Sequence, residues 1–175
     1  MNTAESESRY RFDVVGGSAT DVVAAAGGWL YDRAAAGWDV TVLLRDVGDT
    51  RPLEILGVRA LELASVLKQW EQWPHPQTIA VCAEMFARDD RVRDGVRDAL
   101  EHGGTEVILW GAVPAELDSD VDMREHRLSA AARVFKAQAL MAAGADPAAA
   151  TARVELFRRG PAECPSVAAD LSPAS

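Results

Sequence analysis

Residues Arg11 to Leu44 run RFDVV-GGSATDVVAAAGGWLYDRAAAG-WDVTVLL. Two short apolar runs, Arg11–Val15 and Asp39–Leu44, flank a stretch of helix formers about seventeen residues long. Ser18 is placed to cap that helix, with Asp21 as an acidic partner three residues on. Gly37 is placed to stop it. The second run is almost continuously Val and Leu, as expected of a strand buried on both faces. A strand, a crossover helix and a second such strand predict a right-handed βαβ unit with the strands parallel. Gly27-Gly28 interrupt the helix at a cost of about 1 kcal/mol each relative to Ala. Either the helix breaks there, or the missing side chains allow a close approach by another element.

The same alternation continues downstream. Thr78–Cys82 and Glu106–Trp110 read as a third and a fourth strand. Helices are predicted over Val58–Trp70, Glu84–His102, Met123–Ala143 and Pro147–Arg159, and Pro52–Gly57 is open to a short strand. The expectation is a single three-layer α/β domain. Its sheet is mostly parallel, with four to five strands and helices on both faces. The domain spans residues 9–160, between a lead-in at 1–8 and a Pro/Ala/Ser-rich tail at 161–175. The first βαβ unit resembles nucleotide-binding, Rossmann-like and receiver-like domains at the level of fold, and fold alone does not specify function.

Bulk properties narrow the class. The chain has 175 residues, of which 49% are hydrophobic, so it needs no staple to fold. Its net charge of −9 argues against nucleic acid, which asks for clustered Lys and Arg. Two cysteines without metal or disulfide spacing point to a reducing compartment. The polar start lacks a signal peptide's apolar core, and Val22–Tyr31 is about half the ~20 residues of a membrane span. A cytoplasmic location and no membrane partner are expected.

In an open parallel sheet, ligands bind outside the carboxyl ends of the strands. Here those ends are Gly16-Gly17-Ser18, Arg45-Asp46, Cys82-Ala83-Glu84 and Trp110-Gly111. Gly16, Gly17 and Ser18 form a turn opening a helix, where backbone N–H groups attract anions. The dinucleotide and phosphate-loop patterns are both absent, and Asp21 would repel a phosphate. Asp46 stands where nucleotide folds place a ribose-binding acid, with Arg45 beside it as a pairing partner. Cys82 opens a helix, and His75 is the histidine nearest to it in sequence. Trp110, next to Gly111, offers a ring for stacking or for the core. Asp118, Asp120 and Asp122 alternate, but the calcium-loop glycine and glutamate are missing. No metal set and no cofactor emerges. The resulting expectation is a non-catalytic regulatory or protein-interaction domain. The alternative is a nucleotide- or phosphometabolite-binding enzyme with its site at the strand ends. A protein partner or a small phosphorylated ligand follows from these two readings, and whether any reaction is catalysed stays open.

Overall fold

The computed structural model describes residues 9–118, 121–160 and 171–174. Eight strands form one mixed sheet: β1 (Arg11–Gly16), β2 (Asp39–Leu44), β3 (Arg59–Glu62), β4 (Thr78–Cys82), β5 (Glu106–Trp110), β6 (Asp122–Arg127), β7 (Val154–Arg159) and β8 (Leu171–Pro173). Their order is β3-β2-β1-β4-β5-β7-β6-β8. The first five are parallel, with β1 running beside β2 from Arg11↔Asp39 to Gly16↔Leu44. The last three are antiparallel to their neighbours. After β1 the chain winds outward through β2 and β3, then returns to place β4 on the other side of β1. The order therefore reverses between β1 and β4, and such a switch point opens a crevice at the strands' carboxyl ends.

Helix α1 (Ala19–Ala35) connects β1 to β2, capped by the Ser18 side chain as its sequence predicts. It packs with α2 (Arg51–Ile55) and α7 (Ala130–Ala142) on one face of the sheet. Phe12, Val14, Ala80 and Ile108 point into this layer and meet Val22, Trp29, Leu53 and Leu140. The other face carries α3 (Leu63–Leu67), α4 (Ala83–Arg88), α5 (Asp90–His102) and the short α6 (Ala115–Asp118). Val15, Ile79, Val81 and Leu109 meet Leu63, Phe86, Val92 and Leu117 there. Alternate residues of each strand thus feed opposite cores, which explains the continuous apolar runs.

The sheet is larger than expected, because three segments read as helix are strands. Val58–Trp70 divides into β3, α3 and a 3-10 turn at Trp70–Gln72, while Pro52–Gly57 supplies α2 rather than a strand. Met123–Ala143 divides into β6 and α7. Pro147–Arg159 divides into a 3-10 turn at Pro147–Thr151 and β7. β6 reads DMREHR, with none of the β-branched enrichment that marks a strand; its long pairing with β7 overrides propensity. The helix expected over Glu84–His102 breaks at Asp89, whose backbone is extended and whose carboxylate caps α5 by accepting the Arg91 N–H. The tail expected over 161–175 is corrected in part: Leu171–Pro173 pairs with β6, and 161–170 lie outside the described residues, as does the 1–8 lead-in.

Candidate functional site

Because β1, β2, β4 and β5 are parallel, the four groups expected to converge do share one edge of the sheet. The β1–β2 ladder continues one step past the strands. Arg45 N–H donates to the Gly16 carbonyl (3.1 Å) and Asp46 N–H to the Gly17 carbonyl (2.9 Å). Arg45 and Asp46 are thereby fixed beside the glycine turn. Ser18 Oγ donates to Asp21 Oδ2 (2.8 Å) and accepts the Asp21 N–H (3.3 Å), so the cap also orients the carboxylate. Arg45 Nε donates to Asp46 Oδ2 (3.3 Å), with both side chains largely exposed.

The two glycines serve different ends. A Cβ on Gly16 would lie 2.3 Å from Val22 Cγ2, so Gly16 lets α1 lie close to the sheet. A Cβ on Gly17 would meet only Asp21 Oδ2 at 3.6 Å and an Arg45 guanidinium nitrogen at 3.8 Å. The bare Gly17 backbone therefore lies within reach of both a carboxylate oxygen and a guanidinium nitrogen. Sequence reasoning kept Gly16, Gly17, Ser18 and Asp46 as candidates and missed this pairing. Asp21 was read as a helix-cap acid and Arg45 as the partner of Asp46. The available signal was that both lie within one crossover unit, just past the ends of paired parallel strands.

The other candidates are placed differently. Cys82 is partly buried at the end of β4 and packs against both core layers. His75 lies before the start of β4, so the whole strand separates it from Cys82. Trp110 is 6% exposed and packs in the α1-side core, with its ring 3.8 Å from where a Gly16 Cβ would sit. Gly111 is exposed with φ +90°, a conformation that favours glycine as β5 turns away. A Ser/His/Asp group occurs elsewhere. Asp32 accepts from Ser129 Oγ (2.6 Å) and Ser129 N–H (3.1 Å), and pairs with His126 Nε2 (2.8 Å). In a nucleophilic triad the histidine stands between serine and acid. Here the acid is the centre, and the group ties α1 to β6 and the start of α7.

No family model matches the chain, and no curated protein matches it. Solved structures do. The A40926 pseudoaglycone deacetylase Dbv21 aligns with a TM-score of 0.57 and 14% identity, over 90% of this chain and 100% of that one. A teicoplanin-biosynthesis deacetylase in complex with teicoplanin aligns with a TM-score of 0.55 and 12% identity, over 85% and 97%. Another is described as a zinc-inhibited form of the teicoplanin deacetylase Orf2, also at 0.55 and 12%. The expectation of a non-catalytic regulatory or protein-interaction domain is corrected by these neighbours, which are deacetylases, one of them solved with a small molecule. They give a protein partner no support. No helix among the described residues is long and apolar enough to cross a membrane.

The zinc-inhibited neighbour raises a question of metal donors. The edge presents Asp21, Asp46, Cys82 and Glu84 and no histidine. Asp21 is engaged by Ser18, Asp46 by Arg45, and Glu84 by Arg88 at 3.0 Å. Among the described residues no three His, Cys, Asp or Glu side chains stand close enough together to hold a metal ion. A zinc site asks for three or four such ligands, commonly including histidine, so these residues do not fit one. The chain has the fold of these deacetylases, with a glycine-floored edge flanked by a carboxylate and a guanidinium.

Proposed function

We propose that this protein is a small-molecule enzyme that removes an acyl group from an amine nitrogen at the carboxyl edge of β1 and β2, without a metal ion. The observation that carries the reading is the bare face of Gly17 between Asp21 and Arg45, on a fold shared with deacetylases across nearly the whole chain. The amide carbonyl lies over Gly17. Asp21 takes a proton from water as the water oxygen adds to the carbonyl carbon. The negative charge forming on the carbonyl oxygen faces the Arg45 guanidinium, whose Nε is bonded to Asp46 while the Arg45 backbone is tied to Gly16. The intermediate collapses by breaking the carbon–nitrogen bond, and Asp21 returns the proton to the departing nitrogen. The acid formed gives its proton to the amine, so a carboxylate and an ammonium leave and Asp21 is again ionised. Ser18 holds the Asp21 carboxylate and Asp46 steadies Arg45; both are positioning residues.

The test is release of acetate from N-acetylglucosamine, teicoplanin and A40926 pseudoaglycone, the last two named for the neighbouring enzymes. Loss of the base in Asp21→Asn is expected to lower kcat about 10²-fold or more. Arg45→Met is expected to cost a comparable factor, as loss of an oxyanion partner does. Acetate release that persists unchanged in both variants would refute the assignment.

A further inference from the structure

Helix α7 has two apolar faces, and the fold covers only one. Ala132, Lys136, Ala139 and Leu140 are buried as the helix packs on α1 and α2. On the other side Val134 is 60% exposed, Phe135 40% and Met141 56%, three of the six large apolar side chains left exposed among the described residues. At about 100° per residue, Val134, Phe135, Gln138, Met141 and Ala142 fall within about 60° of one line along the helix. Tyr31 of α1 widens the stripe, its ring stacked on Phe135 with centroids 4.6 Å apart.

No charge interrupts this stripe. The chain holds 27 acidic residues, and none of them is on α7. Of the helix's two basic residues, Lys136 is buried against Glu155 at 2.7 Å. Arg133, five residues before Gln138, lies on the far side of the helix from the stripe. A charged partner therefore finds no counter-charge here. Two copies of a chain carrying −9 repel each other over most orientations, and this uncharged face is where they can approach with apolar surface to bury.

The order of residues along the stripe selects the occupant. Phe135 and Met141 stand three residues either side of Gln138, and Val134 and Ala142 four either side. With two α7 helices antiparallel about a two-fold axis at Gln138, Phe135 of one copy meets Met141 of the other, and Val134 meets Ala142. A ring is set against a flexible thioether and a branched side chain against a small one. Gln138 meets its own copy, and a carboxamide both donates and accepts, so the two bond each other across the axis.

We propose that this stripe is the contact of a homodimer, formed by antiparallel α7 helices around Gln138. The helix is about 20 Å long, which keeps the contact at the small end of specific interfaces. The dimer forms with a Kd between about 1 µM and 1 mM. Tyr31 lies about 15 Å along α1 from Asp21, so pairing leaves the Gly17 edge open and does not rest on the deacylation assigned there.

The experiment is sedimentation equilibrium of the full chain from about 1 µM to about 1 mM. Monomer mass is expected at the low end and dimer mass at the high end. Added salt is expected to tighten the dimer, because it screens the repulsion between two copies of charge −9. Gln138→Glu and Gln138→Lys change an exposed position and each set two like charges on the axis. Each alone is expected to weaken pairing by about tenfold or more, with the circular-dichroism spectrum unchanged. An equal mixture of the two variants is expected to pair again, since opposite charges then meet. Monomer mass at every concentration would overturn the proposal and leave the stripe to a partner of different sequence. A dimer that both Gln138 variants retain, or a mixture that pairs no better than either variant alone, would overturn it as well.

Discussion

Single residues settle where chemistry is possible in this fold. At Gly17 the absence of one methyl group is what leaves the backbone open between Asp21 and Arg45. Gly17→Ala puts that methyl into the space without a severe clash, so its effect falls on the site rather than on folding. The variant is expected to unfold at nearly the wild-type temperature while losing most acetate release. Asp13 is a contrasting case, a carboxylate that the proposed reaction does not use. It is fully buried in β1 and accepts the Trp73 Nε1–H at 2.6 Å, with Arg11 3.7 Å away. Burial raises its carboxyl above the ordinary 3.8, and the Trp73 bond and the Arg11 charge oppose that only in part. The folded chain therefore keeps a proton that the unfolded chain loses above pH 3.8. The contribution of this group to stability falls as pH rises through its native value. Asp13→Asn keeps an acceptor for Trp73 and removes the ionisation. It should melt above wild type at pH 7, each kcal/mol reading as about 2–4 °C, and the gain should vanish below about pH 3.8. Neither Gly17 nor Asp13 declares its role in sequence. A glycine pair after a strand reads as a turn, and an acid within an apolar strand gives no sign of the tryptophan sixty residues away.

Among the elements, α1 is the one in which sequence and structure meet most closely. Its Ser18 cap and its stop before Gly37 were legible, because caps and glycine stops are local. The Gly27-Gly28 pair was legible as a question, break or close approach, and the structure answers close approach. A Cβ on Gly28 would lie 2.2 Å from Leu128 Cδ2, where the chain between β6 and α7 crosses the helix. Glu155 on β7 then reaches the helix itself, accepting the N–H groups of Gly28 and Trp29 at 2.8 Å each. Lys136 on α7 donates to the Ala24 carbonyl (2.8 Å) and to Glu155 (2.7 Å). Ala24 is the acceptor that Gly28 would use in a regular helix, so the buried ion pair stands beside the helix's own ladder. The partner of Lys136 lies on β7, within a segment whose sequence reads as helix, so this particular pair is not legible in the sequence. Gly28→Ala is expected to destabilise by about 1–3 kcal/mol through overpacking in urea unfolding. Lys136→Met leaves Glu155 as an uncompensated buried charge and should cost about 3–5 kcal/mol. Adding Glu155→Gln to Lys136→Met should recover part of that loss.

Over the whole molecule, periodicity marks four of the five parallel strands, β1, β2, β4 and β5, and helices on both faces, but not β3. The antiparallel extension β7-β6-β8 was missed. Strands such as β6, DMREHR, hold their place by pairing with a neighbour rather than by their own preferences. The edge where a ligand is expected follows from topology alone, and the strand order reverses there, between β1 and β4. What chemistry occupies that edge depended on which side chains face each other across a crossover, and only coordinates supply that. The fold resembles that of deacetylases, while among the described residues its edge lacks the donors a metal would need. The proposed reaction is deacylation by a carboxylate and a guanidinium alone. Its decisive test is acetate release from N-acetylated amines by protein treated with a chelator, compared with the same protein after zinc is added. Release is expected that zinc does not increase and that Asp21→Asn lowers by about 10²-fold or more. Release that appears only with zinc, or no release from any N-acetylated amine, would refute it.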